Sequence, residues 1–218
     1  MRSCGARALS VIDRMDVRGT LRPVLEGLHA EFQETVHLGR LGGSTVHFIE
    51  GTRAVRVGSR AGWSLPAHAM STGQRMLSKL DPDALRSVYP HEALEAVTQR
   101  SLTGRSQLKE AFASGCRDAF ATSNGESEEG VMSVAVAAYG VGGDLHAINV
   151  SVPKHRMTND LRTQIVDSAL RAGHELDGLK IWGHGARASS QALCVRKQCC
   201  VDQLEPSPPQ FMRSLDGA

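Results

Sequence analysis

The stretch of sequence that decides the fold is VMSVAVAAY at residues 131–139, followed by GVGGD at residues 140–144 and LHAINVSV at residues 145–152. Both apolar runs are rich in valine, alanine and isoleucine, a composition typical of strands buried in a sheet. The glycines between them supply a turn, and Pro153 cannot continue a hydrogen-bonded ladder. The pattern predicts two adjacent strands joined as a hairpin.

More β-like runs occur on the N-terminal side of this hairpin. Residues 35–41 and 45–50 flank Gly42-Gly43-Ser44, a segment typical of a hairpin turn. Residues 54–58 and 117–122 are predicted as two shorter strands, and residues 123–130 as a polar loop. The chain therefore contains two separate β-rich regions.

The remaining segments show helical patterns. Residues 6–34 are expected to be helical in two pieces, the second capped near Gly19-Thr20 with Pro23 just inside it. Its predicted buried stripe is Leu21, Leu25, Leu28 and Phe32. Further helices are predicted at residues 71–80, 83–88, 91–99 and 107–114, the last ended by Gly115. Thr158 is a suitable N-cap for a final long helix.

The order of these elements predicts an α+β domain with one central sheet and flanking helices. After Trp182 the periodicity is lost, and residues 183–218 contain three prolines and three cysteines. We expect this segment to be a disordered tail.

Composition narrows the function classes. The 218 residues are 41% hydrophobic and 22% charged, which is typical of a globular chain, and the net charge of +2 gives little support for a nucleic-acid-binding surface. No run of 18 apolar residues and no N-terminal signal segment is present, so we expect no membrane partner and a cytoplasmic location. Five cysteines at these spacings predict neither a disulfide framework nor a zinc site, and no cofactor is expected.

Several segments in a fixed order resemble the effector-binding domain of IclR-family transcription regulators, over residues 6–180. They include Glu34-Thr35-Val36-His37-Leu38, Leu65-Pro66-Ala67-His68-Ala69, Gly125-Glu126 with the strand after it, and Ala147-Ile148-Asn149-Val150-Ser151. Asn149-Val150-Ser151 and Gly73-Gln74-Arg75-Met76-Leu77 are most similar to the branch that regulates aromatic-acid (β-ketoadipate) catabolism. The resemblance implies a GAF/PAS-like antiparallel sheet preceded by a linker helix.

The resemblance also implies a domain organisation and partners. Residues 1–19 correspond to the end of the linker helix and residues 20–180 to the effector-binding domain. The family's winged helix-turn-helix has no counterpart pattern in this sequence, so we expect DNA binding only through a missing domain or a partner. Association into a dimer or tetramer is expected from the family.

The resemblance assigns the effector site to residues on a helix start and on strands. Ser71 and Thr72 match positions whose backbone binds an effector carboxylate, although both residue types also serve as plain N-caps. Polar pocket positions on the late strands match Ser123, Ser133, Asn149 and Ser151. Met70 and Met132 are expected to shape the apolar wall. The implied ligand is a small organic acid, aromatic or aliphatic.

Two other function classes stay open on the residues alone. An enzyme would need a site such as a metal held by His37 and His47 across the first hairpin, or a reactive Cys116, and neither has suitable partners in the sequence. A module that hetero-oligomerises with an intact regulator is the other alternative. Arg56, Arg60 and Arg75 are candidate partners for a ligand carboxylate by position only.

Overall fold

The computed structural model describes residues 4–52, 60–139 and 144–178. Its helices are α1 (Cys4–Phe32), α2 (Ser71–Leu77), α3 (Pro82–Val88), α4 (Arg105–Asp118) and α5 (Asn159–Gly178). Its strands are β1 (Thr35–Gly42), β2 (Thr45–Gly51), β3 (Ser64–Pro66), β4 (Ala121–Asn124), β5 (Val131–Tyr139) and β6 (Leu145–Pro153). The strand predicted at residues 54–58 and the tail predicted at residues 183–218 lie outside the described residues.

A single antiparallel sheet in the order β3-β2-β1-β6-β5-β4 organises these elements. The predicted hairpin strands β5 and β6 lie next to each other, with Val134 opposite Val150 and Ser133 opposite Ser151. Strand β1 pairs with the edge of β6 that is not used by β5. This pairing joins the two β-rich regions of the sequence into one sheet. The α+β prediction with a central antiparallel sheet is confirmed.

The two faces of the sheet differ in chemistry because successive side chains on a strand point to opposite sides. One face carries Val134, Val136 and Val150 and packs against α1 and α5 in an apolar core. The opposite face carries small and polar residues beside a second apolar cluster under α2 and α4. We call this opposite face the α2 face. It is where buried polar side chains accumulate.

Helix α1 is one continuous helix, so the prediction of two helical pieces was wrong. Pro23 lies inside it and is exposed to solvent. The expected stripe of Leu21, Leu25 and Leu28 is buried against the sheet. Burial of that stripe keeps the helix together through the proline, which removes one backbone hydrogen bond on the solvent side.

The predicted helix at residues 91–99 is absent from the structure. Leu94 instead pairs its backbone N–H with Thr103 O at 2.9 Å, and the Thr98 and Ser101 hydroxyls donate to the backbone of residues 125–126. Tertiary hydrogen bonds therefore replace the local helical ones. These hydrogen bonds hold the loop that precedes β5 against this segment.

The boundaries around α4 also differ from the prediction. The helix runs through Gly115 and ends at Asp118, and its C-cap Ala119 adopts a left-handed φ of 61°. The strand expected at residues 117–122 begins only at Ala121, and β3 was not predicted.

Thr158 does cap α5, accepting a hydrogen bond from Leu161 N–H at 3.1 Å. In the described parts of the chain, no helix is long and apolar enough to span a membrane.

Gly73 sets how closely α2 approaches the segment before it. A Cβ atom on this residue would lie 2.0 Å from the carbonyl oxygen of Ala67 and 2.4 Å from its Cα. Only glycine allows this contact, because both clashing atoms belong to the backbone and cannot rotate away. Gly73 thereby holds Ser71 and Thr72 against the sheet.

We expect Gly73→Ala to lower the free energy of unfolding by about 2 kcal/mol or more, since the clash forces a backbone shift. Gly27→Ala is the matched control, because Gly27 is an exposed helical glycine whose added Cβ meets nothing within 4 Å. The control should stabilise the protein by roughly 0.5–1 kcal/mol. Urea unfolding of both variants measures the difference, and equal effects would contradict the packing argument.

Candidate ligand-binding site

The six polar residues expected from the strands and the helix start are all buried on or beside the α2 face. Their exposed fractions range from 0% to 6%. They are Ser71, Thr72, Ser123, Ser133, Asn149 and Ser151. Ordinary cores seldom concentrate so many polar groups, because each must find a hydrogen-bond partner. We refer to these six residues as the polar cluster.

Three hydroxyls of the polar cluster form a chain between α2 and the sheet. The Oγ of Ser133 lies 2.7 Å from the Oγ of Ser71 and 3.1 Å from the Oγ of Ser123. Ser123 and Ser133 are direct neighbours across β4 and β5. Because hydroxyl protons rotate, this chain can reverse its donors and acceptors to suit a bound group.

One polar atom of the cluster, the Oγ1 of Thr72, has no hydrogen-bond partner among the described residues. The Oδ1 of Asn149 has no partner there other than the side chain of His37. The amide nitrogen of Asn149 does donate, to the Oγ of Ser151 at 3.1 Å. An unpaired buried polar atom costs about 1–3 kcal/mol, so a native structure normally provides it with a partner.

The partner of Asn149 is His37, which the sequence analysis had considered only as one half of a metal-binding pair with His47. His37 is 1% exposed and lies directly opposite Asn149 in the pairing of β1 with β6. Its Nε2 accepts the backbone N–H of Arg60 at 3.0 Å, and the ring interacts with the side chain of Asn149 through a side-chain hydrogen bond. The two histidines of the first hairpin do not face each other, since His37 pairs with Gly51 and His47 with Arg40.

Burial keeps His37 uncharged. Removal from water, aided by the charge of Arg60, lowers its pKa from 6.5 to about 4, against the opposing contribution of a side-chain hydrogen bond with Asn149. The imidazole is therefore neutral at physiological pH. A neutral ring beside a neutral amide gives this part of the α2 face polarity without charge.

Two arginines named from the sequence have contrasting surroundings. Arg60 forms an ion pair with Glu128 and presents its backbone N–H to His37, so it lies at the edge of the polar cluster. Arg75 donates to Ala119 O and Ser78 Oγ, both at 3.0 Å, and serves to hold α2 against the end of α4. Arg56 and the side chain of Cys116 lie outside the described residues.

An acidic residue, Glu126, lies beside the Ser123 end of the cluster. Burial raises the pKa of its carboxyl, while the backbone amide of Asn124 and the hydroxyl of Ser123 lower it. Among the described residues, no group of three potential metal ligands comes together.

The two methionines have different positions. Met70 precedes α2, is 3% exposed and packs in the apolar cluster of the α2 face. Met132 is adjacent to Ser133 on β5, and neighbouring strand residues point to opposite faces, so Met132 lies on the other side of the sheet. The two methionines therefore lie on opposite faces of the sheet, and the expected wall role stays a prediction. Phe48 and Ala147 belong to the same apolar cluster as Met70.

Comparison with known protein families identifies the family to which this fold belongs. The family model for the bacterial transcriptional regulator IclR C-terminal domain matches residues 9–177. The chain belongs to the IclR family. Its relatives are named as transcriptional regulators and not as enzymes, in agreement with the resemblance found in the sequence.

Relatives and solved structures agree with the IclR assignment. The Pca regulon regulatory protein of Pseudomonas putida is 27% identical over 161 residues, covering 71% of this chain and 55% of the relative. A putative IclR regulator from Silicibacter sp. TM1040 has a TM-score of 0.73 at 26% identity, covering 84% of this chain and 73% of that one. This IclR chain spans little more than half the length of the curated relatives it matches, 55–57% for three of them.

A fold neighbour of this IclR domain was crystallised with a ligand. It is a double mutant of the PobR inducer-binding domain from Acinetobacter, in complex with 3-hydroxybenzoic acid. Its TM-score is 0.65 at 24% identity, and the match covers 72% of this chain and 95% of that one. This likeness shows the shared fold.

The low pKa of His37 predicts an acid-sensitive IclR domain. The ring is neutral in the folded state down to about pH 4, whereas the unfolded chain takes up a proton near pH 6.5. Above pH 6.5 the ring is neutral in both states and does not lower the free energy of unfolding. As the pH drops from 6.5 to 4, the free energy of unfolding falls by about 3 kcal/mol because only the unfolded chain takes up the proton. We expect His37→Asn to remove that part of the pH dependence.

Urea unfolding at pH 7 and pH 4 measures this effect. The loss of unfolding free energy between the two pH values should be about 3 kcal/mol smaller in His37→Asn than in the unmodified chain. His91→Asn, which changes an exposed histidine, is the control. A loss that is the same in all three proteins would show that His37 is not a buried neutral group.

Proposed function

We propose that this chain is the sensing domain of an IclR-type transcription regulator and that it binds a small organic acid in the polar cluster. The observation that carries the proposal is the Oγ1 of Thr72, which is buried without a hydrogen-bond partner among the described residues, together with the chain of serine hydroxyls that begins at its neighbour Ser71. A polar group of a ligand would satisfy this oxygen.

The carboxylate of the acid is proposed to bind at the Ser71 end. The backbone N–H groups in the first turn of a helix have no partners within that helix, and those of α2 begin at Ser71 and Thr72. Because α2 has only seven residues, its dipole is a small contribution. Hydroxyl donors from Ser71, Ser133 and Thr72 supply most of the polar contacts.

An aromatic acid is the first ligand class to test. The motifs Asn149-Val150-Ser151 and Gly73–Leu77 resemble the aromatic-acid branch of the family. Phe48, Met70 and Ala147 supply apolar surface on the same face of the sheet. One protein of this fold was crystallised with 3-hydroxybenzoic acid. Aliphatic carboxylates are the second class.

The wider properties of the regulator are also proposals. Operator binding is proposed to need a winged helix-turn-helix, supplied by a further segment or by a partner subunit. Association into a dimer or tetramer and a cytoplasmic location are proposed from the family resemblance. Sedimentation of the purified chain tests the assembly, and a strict monomer over a wide concentration range would contradict it.

Thr72→Val tests the ligand site most sharply, because valine replaces an unpaired buried hydroxyl with a methyl of the same size. The free protein should gain about 1 kcal/mol of stability or more, since a polar atom without a partner is removed from the core. Binding of an acid should weaken by about tenfold, since the hydroxyl that contacts the ligand is lost.

The measurement is a thermal-shift titration with a panel of aromatic and aliphatic acids, because a ligand that binds the folded state raises Tm. Thr163→Val is the control, since Thr163 is exposed on α5, the helix that packs on the face of the sheet opposite the polar cluster. A panel without any stabilising acid would overturn the proposed function. Unchanged affinity in Thr72→Val would remove the site from the polar cluster.

A further inference from the structure

His37 is hydrogen-bonded on both sides of its ring, and the two bonds run in the same direction. Its Nε2 accepts the backbone N–H of Arg60 at 3.0 Å. On the neighbouring strand, the ring forms a side-chain hydrogen bond with Asn149, which lies directly opposite in the pairing of β1 with β6. The ring also packs against Phe48 with 5.0 Å between ring centroids, which holds the plane of the imidazole.

The bond from Arg60 determines which ring nitrogen of His37 carries the proton. A backbone N–H can only donate, so the Nε2 that accepts it has no proton of its own. The single proton of the neutral imidazole is then on Nδ1. Nδ1–H therefore donates to Asn149, and the atom that accepts is the carbonyl oxygen Oδ1.

The side chain of Asn149 continues the hydrogen bonds in the same direction. With Oδ1 turned to His37, the amide nitrogen points along β6 and donates to the Oγ of Ser151 at 3.1 Å. The flipped amide would place its N–H groups against the Nδ1–H of His37, so two donors would face each other. The ring of His37 thus selects one of the two amide orientations.

The last member of this series is the hydroxyl of Ser151. Because its Oγ accepts the proton of the Asn149 amide, its own proton is directed away from Asn149. Hydrogen bonds in a chain polarise one another, which makes the terminal hydroxyl a better donor. Ser151 is 6% exposed and lies opposite Ser133 on the α2 face. We call the series from Arg60 N–H through His37 and Asn149 to Ser151 the His37 relay.

We propose that His37 is a positioning residue of the ligand site, which acts through Asn149 to turn the Ser151 hydroxyl proton toward an acceptor atom of the effector. With the amide flipped, Ser151 would donate to Oδ1 of Asn149 and present only lone pairs, which repel the oxygens of an acid. The inference rests on the proposed function, because the acceptor is an oxygen of the proposed acid. In this role His37 acts without touching the ligand.

The direction of the relay can be measured without any ligand. Long-range proton–nitrogen NMR at pH 7.5 on the full 218-residue chain reports which imidazole nitrogen carries the proton. We expect His37 to show a protonated Nδ1 and an unprotonated Nε2. Exposed His91 is the control, and it should exchange its proton between both nitrogens. A proton on Nε2 of His37, or exchange like that of His91, would overturn the relay.

A double-mutant cycle tests whether His37 acts through Ser151. The readout is the affinity for benzoate and butyrate in calorimetric titrations at pH 7.5. Ser151→Ala removes the donor and should weaken binding by about tenfold. His37→Phe keeps an aromatic ring and removes both hydrogen bonds, so we expect a loss of about fivefold. The double variant should lose about tenfold, as Ser151→Ala does alone, and not the roughly fiftyfold of independent effects.

His37→Gln is the rescue variant. Its side-chain oxygen can accept from Arg60 and its amide nitrogen can donate to Asn149, so the direction of the relay is kept. We expect it to bind within about twofold of the unmodified chain. The glutamine variant and the NMR measurement keep the inference testable if phenylalanine at position 37 impairs folding.

Each outcome bears on one of the two proposals. If acids bind and the losses multiply in the double variant, His37 does not act through Ser151, and the positioning role is overturned while the acid site stands. The same holds if the glutamine variant binds as weakly as the phenylalanine variant. If no acid binds the unmodified chain, the proposed function fails and the positioning role fails with it.

Discussion

The register between β5 and β6 is the constraint on which the rest of the structure depends. It places Ser133 opposite Ser151 and Ala135 opposite Asn149, so the polar residues of both strands share one face while the valines share the other. A slip by one residue would turn the hydroxyls toward α1 and α5 and leave the valines under α2. The apolar core against α1 and α5 prevents that slip, because it buries Val134, Val136 and Val150. Packing on one face therefore determines the chemistry on the other.

Charge is kept away from the centre of the α2 face. His37 is neutral because it is buried beside Arg60, and the guanidinium of Arg60 is paired with Glu128 at the edge. Glu126 lies at the Ser123 end, where burial raises the pKa of its carboxyl. Under the proposed function, an anionic ligand group would meet hydroxyl and amide donors at one end and neutral atoms in the middle. Such a site would select by the geometry of its hydrogen bonds more than by net charge.

The sequence predicted those parts of the fold that are decided by local pattern. Strands β5 and β6, the first hairpin and the Thr158 cap follow from apolar runs, turn residues and capping chemistry. The predicted helix at residues 91–99 was wrong because Thr98 and Ser101 bond to a distant loop, which no local rule describes. The resemblance supplied the serines and Asn149, and the structure brings them together. The resemblance assigned no role to His37, whose proximity to Asn149 arises only from the pairing of β1 with β6.

Not every polar residue in the cluster can contribute equally to ligand affinity. Ser71, Ser123 and Ser133 already bond to one another, so a ligand that engages them exchanges one hydrogen bond for another with little net gain. Thr72 Oγ1 has no such partner among the described residues, so under the proposed function a ligand would gain the full value of the bond it makes to this oxygen. The free energy of selection would then be concentrated at Thr72. The serine chain would position the ligand, because rotation of its hydroxyls adapts to whichever oxygen enters.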